Sequence, residues 1–317
     1  MRIVFMGTPD FAVASLKALL NAGEQVVAVV TQPDKPKGRG KQVQPPPVKT
    51  LALEQNLSVL QPSNIRTEEF IKTLQDLQPD CIVVVAYGKI LPIEVLDLPA
   101  KGCINVHASL LPSYRGSAPI HWALINGETE TGVTTMFMNE GMDTGDMIIK
   151  KHLSISPLDN VGILHDKLAE QGAKLLVETI KLLKADQAPR VSQDHTLATY
   201  APMLRKEHEL IHWDRSAQSI YNHVRGMNPW PGTYTTWEDK ILKIWNTKLP
   251  EKKTMQADPG MVLDVNPSGI LVQTGLGQII ITELQLQGGK RMDVAQFIRG
   301  KNMNPGTLFG NRGVVEK

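Results

Sequence analysis

Short apolar runs alternate with segments of helical apolar spacing along the first 183 residues of this 317-residue chain. The apolar runs are typical of strands buried on both faces of a parallel sheet. They lie at 3–6, 26–31, 81–86 and 104–107, with 133–138 as a further candidate. Apolar residues three and four apart predict helices at 10–22, 48–56, 67–77 and 160–183. This alternation predicts right-handed βαβ units and an α/β fold with a doubly wound, Rossmann-like, mostly parallel sheet.

The pattern changes after residue 183. Residues 184–206 have no regular spacing and contain Pro189 and Pro202, as is typical of a linker. Short β-rich segments then follow between Gly, Pro and Asn turns, at 234–237, 241–245, 261–265, 270–274 and 279–286. Such segments predict a small OB-like β-barrel. We therefore expect an N-terminal domain over 1–189, a linker over 190–206 and a C-terminal barrel domain over 207–317.

The composition is that of an ordinary globular protein, with 42% hydrophobic and 21% charged residues. No apolar run approaches the roughly 20 residues that a membrane-spanning helix needs. The first predicted strand begins next to the first residue, which leaves no room for a targeting segment before it. We expect a cytoplasmic protein without a membrane role, and no feature of the sequence indicates an obligatory protein partner.

The chain has two cysteines, Cys81 and Cys103, and each lies beside an apolar strand pattern. A free cysteine behaves as a small buried hydrophobe. We therefore expect reduced, packed thiols rather than a disulfide, and the sequence predicts no metal site.

The polar end of the 104–107 run is unusual for a buried strand. Asn105 and His107 lie two residues apart, so on a strand both side chains point to one face. A loop with Pro and Gly follows at 109–119, and Asp143 lies in a second loop further along. Site residues in such sheets lie beyond the carboxyl ends of the strands. An amide, an imidazole and a carboxylate at these positions therefore predict a catalytic site. The other histidines do not lie in a motif with an amide and a carboxylate, and we interpret them as surface or packing residues.

A dinucleotide site is the alternative for the N-terminal half, because residues 6–10 read Met-Gly-Thr-Pro-Asp at a strand-to-helix turn. The segment lacks the G-x-G-x-x-G fingerprint, and Pro9 occupies an early helical position. We interpret the turn as a helix N-terminus that faces a ligand, not as a pyrophosphate cradle.

The polar cluster resembles the signature of the formyltransferases that use 10-formyltetrahydrofolate. The matching residues are Asn105-x-His107, Ser109-Leu110-Leu111-Pro112 and Met142-Asp143-Thr144-Gly145. The resemblance covers essentially the whole chain. It implies a formyl group transferase with Asn105, His107 and Asp143 as catalytic residues, 10-formyltetrahydrofolate as co-substrate and no metal.

Further segments place the resemblance among the family members that formylate an aminoacylated tRNA. They are the opening at 4–11, the segment at 32–49 and Asn-Pro-Trp-Pro-Gly at 228–232. The implied partner is initiator methionyl-tRNA, whose free α-amino group accepts the formyl group.

This reaction requires the residue types of the cluster. The amine attacks the formyl carbon, and a tetrahedral intermediate with an oxyanion forms. The amide of Asn105 and an N–H of His107 are suited to bind that oxygen, and losing one such donor typically costs about 100- to 1000-fold in rate. The amine must also lose a proton while N10 of the folate gains one. We expect Asp143 to relay it, through a water or the imidazole.

By the same resemblance, two loops form the folate pocket. The backbone of the first receives the pterin edge, and its residues are Tyr87, Gly88, Lys89, Ile90 and Leu91. The second lines the path to the reacting carbon, and its residues are Ser109, Leu110, Leu111 and Pro112. Gly88 allows the chain to approach a flat ring closely. The alternative for the first loop is an ordinary strand-to-helix turn.

A basic loop carries the expectation of tRNA binding. Residues 35–49 contain five basic residues and no acidic one. In the resembled family this loop enters the acceptor end of the tRNA, which implies tRNA-binding roles for Lys37, Arg39 and Lys41, with Arg39 as the wedge. Arginine can stack on a base and hold a phosphate together. The net charge of the chain is only +2, so local patches must hold the nucleic acid. A solvated loop is the alternative.

Two other functions remain open from the sequence. A formyltransferase that acts on a small-molecule amine would keep the catalytic residues and folate loops without needing the basic loop or the barrel. A non-enzymatic tRNA-binding protein would need the loop and the barrel, but not the polar cluster.

Overall fold

The computed structural model of the chain describes residues 1–37, 42–251 and 257–310. The chain divides into two compact units. Unit 1 comprises Met1–Pro119, Glu130–Ser154 and His165–Pro202, and unit 2 comprises Ile120–Thr129, Ile155–Leu164 and Met203–Lys317. The expected domain boundaries near residues 190 and 206 stay a prediction.

Unit 1 is built on the predicted alternation of strands and helices. Its strands are β1 (Arg2–Gly7), β2 (Gln25–Val30), β3 (Lys35–Lys37), β4 (Gln42–Gln44), β5 (Val59–Leu60), β6 (Cys81–Val85), β7 (Cys103–His107), β8 (Glu130–Phe137) and β9 (Met147–Ser154). The helices up to residue 184 are α1 (Asp10–Asn21), α2 (Pro47–Glu54), α3 (Glu68–Asp76), α4 (Ile93–Leu96), α5 (Pro119–Ile125) and α6 (Val161–Lys184). Of these, α5 after Pro119 and the start of α6, up to Leu164, belong to unit 2. Each strand and helix predicted in this stretch is present within a few residues of its expected bounds.

Seven of these strands form one mixed sheet in the order β5-β2-β1-β6-β7-β8-β9. The first five are parallel, and β8 and β9 are antiparallel additions to the edge beyond β7. The predicted α/β fold with a Rossmann-like, mostly parallel sheet is therefore confirmed. Strands β3 and β4 form a separate two-stranded antiparallel sheet, which the apolar pattern did not predict.

Apolar side chains cover both faces of the parallel strands, as the apolar runs predict. Every residue of β6 is buried, and Phe70 and Leu74 of α3 pack with it in one cluster. Leu16 and Leu19 of α1 are fully buried as well. Thr67 caps α3 by accepting the backbone N–H of Phe70, which is the usual role of threonine at a helix start.

Unit 2 contains an antiparallel sheet. Its strands are β10 (Thr233–Trp237), β11 (Lys240–Lys248), β12 (Val262–Asn266), β13 (Gly269–Gln273), β14 (Gln278–Leu286) and β15 (Met292–Asp293), and its later helices are α7 (Ala217–Met227) and α8 (Val294–Gly300). The order is β10-β11-β14-β13-β12, with β15 on β14.

A closed barrel is not found among the strands described in unit 2. The outer strands, β10 and β12, pair with other segments and not with each other. Leu210 forms a backbone bridge with Tyr234 of β10, and Leu308 forms one with Met261, the residue before β12. The core of this sheet is aromatic and aliphatic: Trp237 packs edge-on against Phe297 of α8, at 5.6 Å between ring centroids.

Across the described ranges, no helix combines the length and the apolar content needed to cross a bilayer.

Both cysteines are free and buried, as predicted. Cys81 and Cys103 lie on the adjacent strands β6 and β7, and the Cys103 thiol contacts the carbonyl oxygen of Val95 at 3.4 Å. Burial raises the pKa of the Cys103 thiol to about 12 and the pKa of the Cys81 thiol well above its usual range.

We predict that both thiols resist alkylation by iodoacetamide at pH 8 in the folded protein, because the thiolate is the reactive form and both thiols are shielded from solvent. Mass spectrometry after timed quenching measures the reaction, and the same protein in guanidinium chloride, where both thiols react, is the control. Alkylation of the folded protein at the rate of the unfolded control would contradict this prediction.

Candidate active site

Strand β7 directs Asn105 and His107 to the same face of the sheet. Val106 between them faces α6, because a Cβ added at Gly172 of that helix would lie 3.0 Å from Cγ1 of Val106. The alternation of side chains along a strand then directs its two neighbours to the opposite face. His107 is buried and Asn105 is half-buried.

Asp143 lies in the turn between β8 and β9, in a left-handed backbone conformation with φ of +54°. Aspartate tolerates this conformation better than most residues other than glycine. One carboxylate oxygen, Oδ2, accepts the backbone N–H of Gly116 at 2.8 Å. The side chain is therefore tied to the loop that follows β7.

The three polar side chains meet. Asn105 donates from Nδ2 to Oδ1 of Asp143 at 3.4 Å, and Nδ1 of His107 lies 3.7 Å from Oδ2 of Asp143. These residues are 38 and 36 positions apart in sequence, so only the fold brings them together. An amide, an imidazole and a carboxylate in mutual reach can bind an oxyanion and move a proton.

The backbone sets the tautomer of His107. Its Nε2 lies 3.0 Å from the carbonyl oxygen of Tyr114, which can only accept, so Nε2 bears a hydrogen. The other ring nitrogen, Nδ1, faces the carboxylate of Asp143.

The first expected folate loop lies beyond the carboxyl end of β6. The side chain of Tyr87 packs in the apolar core, where burial raises the pKa of its phenol to about 12. Its carbonyl oxygen accepts hydrogen bonds from Thr8 Oγ1 and Gln32 Nε2. Gly88 has φ of +82°, and a Cβ added there would meet no atom within 4 Å. Ile90 is exposed.

In the same loop, Leu91 packs in the core and Lys89 bonds to a neighbouring backbone segment. Leu91 is buried in the same apolar cluster as Tyr87. Lys89 donates from Nζ to the carbonyl oxygen of Ser63 at 2.7 Å. The loop thus offers its backbone at Gly88 and its surface at Ile90 to a ligand.

The second expected folate loop is held by three hydrogen bonds, of which the two to Thr134 are buried. Thr134 of β8 donates to the carbonyl oxygen of Ser109 at 2.7 Å and accepts the N–H of Leu111 at 3.1 Å. Ser109 donates from Oγ to the carbonyl oxygen of Ser113 at 2.6 Å. Leu111 is buried, whereas Leu110 and Pro112 are half-buried.

One of the three expected tRNA-binding residues lies within the described part of the chain. Lys37 is the last residue of β3, and Arg39 and Lys41 lie outside the described residues. Lys49 of α2 donates to both carboxylate oxygens of Asp34, the residue before β3, at 2.8 and 2.9 Å. This hydrogen bond, together with a second from Gln61, lowers the pKa of Asp34.

Two residues that the sequence did not single out surround the polar cluster. Arg115 is only 2% exposed, and its guanidinium donates to Oε1 of Gln193. Gln193 in turn donates to backbone oxygens of the turn at Asp143. Arg115 lies within the motif after β7, so its position was a usable signal, whereas Gln193 lies in the aperiodic segment and gave none.

Two grooves of the described structure lie away from the polar cluster. A groove of about 540 Å³ lies between α1 and α6, and another of about 380 Å³ lies beside β10. Neither groove is lined by Asn105, His107 or Asp143.

Comparison with known proteins gives consistent relatives. Residues 1–180 match the family model described as formyl transferase, and residues 203–302 match the model of the formyl transferase C-terminal domain. Methionyl-tRNA formyltransferase of Desulforamulus reducens is 72% identical over 313 residues, which cover 99% of each chain. The enzyme of the same name from Pelotomaculum thermopropionicum is 54% identical over 310 residues, covering 98% of this chain and 99% of the relative.

A solved structure shares the fold. The N-formyltransferase from Helicobacter canadensis, in complex with folinic acid and dTDP-3-aminofucose, matches with a TM-score of 0.67 at 19% identity. The match covers 88% of this chain and 98% of that protein.

We predict that Gly116→Ala destabilises the protein more than Gly23→Ala does, by about 1–3 kcal/mol. Both glycines have positive φ, but only at Gly116 would the added Cβ meet an obstacle, the carbonyl oxygen of Ala201 at 2.6 Å. Urea unfolding of the two variants and the parent measures the difference. Equal losses of stability in the two variants would contradict the packing at Gly116.

Proposed function

The chain belongs to the methionyl-tRNA formyltransferases of the formyl transferase family, and we propose how its residues carry out that reaction. The enzyme transfers the formyl group from 10-formyltetrahydrofolate to the free α-amino group of methionyl-initiator tRNA. The product, N-formylmethionyl-tRNA, serves the initiation of translation. We assign catalysis to Asn105, His107 and Asp143.

One observation carries the catalytic assignment. The carboxylate of Asp143 contacts both Asn105, at 3.4 Å, and His107, at 3.7 Å, at the carboxyl end of β7. A packing role does not require three different polar groups around one point beside an otherwise apolar sheet. Acyl transfer to an amine does require them, because charge develops on an oxygen while protons leave one nitrogen and reach another.

Asn105 and His107 bind the oxygen of the formyl group as it becomes an oxyanion. One hydrogen of the Asn105 amide is directed to Asp143, which orients the amide and leaves the second hydrogen for the substrate. We assign the other donor to an N–H of the His107 ring. Because the ring is buried and its Nε2 is bonded to Tyr114, this donor is held in place before the substrate arrives.

Asp143 provides the charge and the proton acceptor. Its carboxylate lies 3.7 Å from Nδ1 of His107, where it can accept, directly or through a water, the proton that the attacking amine releases. The N–H of Gly116 at Oδ2 keeps the carboxylate in this position. The proton then becomes available to N10 of the leaving folate.

We assign the folate co-substrate to the loops beyond β6 and β7. Open space lies beside Gly88, as a flat ring against the backbone requires. We assign the pterin contact to the backbone of residues 87–91, and the path to the formyl carbon to residues 109–112. Ligand sites in open α/β sheets lie at this carboxyl edge.

The tRNA contacts divide between two parts of the chain. We assign Lys37, Arg39 and Lys41 to the acceptor end of the tRNA and the C-terminal domain, over 207–317, to the rest of it. Residues 206–317 carry 14 Lys and Arg against 11 Asp and Glu, whereas 1–205 carry 20 against 21. The antiparallel sheet of unit 2 is compatible with an OB-like, partly open barrel. A cytoplasmic location, where charged tRNA is used, belongs to this proposal.

We predict that His107→Ala and Asp143→Asn each lower the single-turnover rate of formyl transfer by at least about 100-fold. The assay uses charged initiator tRNA, with charged elongator tRNA and free methionine as acceptor controls. His152→Ala and Asp166→Asn are matched variants at exposed positions and should keep the parent rate. A His107 or Asp143 variant within tenfold of the parent would remove that residue from the catalytic assignment.

We predict that Arg39→Ala lowers kcat/KM for charged initiator tRNA by about tenfold while leaving the KM for the folate unchanged. The expected size corresponds to the loss of one stacked base contact. Steady-state kinetics with each substrate varied in turn separate the two effects, and Arg66→Ala, which removes an exposed charge elsewhere, is the control. Unchanged tRNA kinetics would exclude the basic loop from tRNA binding.

A further inference from the structure

Residues 190–201, which the sequence predicts as part of a linker, are bonded to both loops of the catalytic site, and we call them the strap. At one end, Val191 exchanges two backbone hydrogen bonds with Met147 after the Asp143 turn, at 2.9 and 3.0 Å. At the other end, Arg115 donates its N–H to Thr199 at 2.9 Å and accepts the N–H of Ala201 at 2.7 Å. The strap therefore joins two loops that are far apart in sequence.

Gln193 is the buried centre of the strap. Its amide nitrogen donates both hydrogens to the turn, one to the carbonyl oxygen of Asp143 and one to that of Gly145, each at 2.8 Å. Its oxygen accepts from Arg115, at 3.1 Å from Nε and 2.6 Å from Nη2. Every hydrogen-bonding group of the glutamine amide is thus used.

The burial of Arg115 needs an explanation. Its guanidinium is 2% exposed, and the side-chain acceptors that the structure shows for it are neutral, namely Gln193 Oε1 and His195 Nδ1. Burying a charge opposite neutral groups costs stability that an apolar residue would not cost. Packing alone therefore does not account for an arginine here.

These contacts close a ring around the carboxylate. Gly116 donates its N–H to Oδ2 of Asp143, and Gly116 directly follows Arg115. Arg115 bonds to Gln193, and Gln193 bonds to the backbone of Asp143. The ring therefore fixes both the donor and the acceptor of the hydrogen bond that orients the Asp143 side chain.

We infer that Gln193, held by Arg115, is a positioning residue for Asp143 in formyl transfer. This inference rests on the catalytic role proposed for Asp143. Gln193 does not touch the reacting atoms. It stabilises the left-handed turn from which Asp143 reaches His107, so its loss lowers the rate of the chemical step and leaves folate binding unchanged.

The test uses two variants of the full-length enzyme. Gln193→Met keeps the length of the side chain and removes all of its hydrogen bonds. Gln193→Glu keeps an acceptor for Arg115 and removes the two donors to the turn, so it carries the same test if the methionine variant fails to fold. Gln171→Met is the matched control, because Gln171 also donates its amide to a backbone carbonyl oxygen, that of His152, away from the site.

We expect Gln193→Met and Gln193→Glu to lower kcat by about 10- to 100-fold, with the KM for the folate changed by less than about twofold, as for a catalytic group displaced by roughly 1 Å. The Gln171 control should keep the parent kcat. Thermal unfolding of all three variants shows how far any loss of kcat follows loss of stability. A parent-like kcat in a folded Gln193 variant would overturn the inference.

A double-mutant cycle separates positioning from a general structural role. In an Asp143→Ala background there is no carboxylate to position, so replacing Gln193 should change the remaining rate by less than about twofold. Additive losses would overturn the inference and leave the catalytic assignment of Asp143 intact. A parent-like rate for Asp143→Ala alone would overturn both.

Discussion

The hydrogen bond from the Gly116 N–H to the Asp143 carboxylate joins the two loops on which the active site is built. The same carboxylate contacts Asn105 and His107, so its position decides whether three polar groups act on one point. Asp143 lies on a turn with left-handed backbone, and Gly116 lies where the carbonyl oxygen of Ala201 would meet any Cβ. Neither loop could hold this geometry without its neighbours.

The register of the sheet explains how residues so distant in sequence meet. Strand β8 returns antiparallel along β7, which puts Met136 opposite Asn105. Strand β9 begins with Met147 paired to the same Met136. The β8–β9 connection therefore leaves and re-enters the sheet at the level of Asn105. An antiparallel extension of a parallel sheet thus brings a second loop to a site that would otherwise have only β-to-α loops.

Burial supplies the rigidity of the site. His107 and Arg115 are buried, Thr134 bonds to the loop at Ser109 and Leu111, and the strap closes over the Asp143 turn. These side chains are held by hydrogen bonds to backbone atoms or to other buried side chains, so their directions are fixed by the fold and not by their own rotamer preferences. Preorganised donors of this kind are the main source of catalytic power in acyl transfer.

The sequence by itself determined the elements whose burial repeats with a simple period. Strands β1, β6 and β7 and helices α1, α3 and α6 were predicted because an apolar residue must recur wherever an element faces a core. Strand β9 was missed because the middle of this edge strand is exposed and carries Lys151 and His152, and α7 was missed because its buried face includes Asn222.

The motif around Asn105, His107 and Asp143 could also be identified from the sequence, since polar residues at the end of a buried strand need a reason. Only the tertiary structure decided which backbone atoms hold those side chains, that residues 190–201 bond to both loops of the site, and that the strands of unit 2 leave their outer edges bonded elsewhere. These features depend on contacts between residues far apart in sequence, and such contacts leave no periodic trace in the chain.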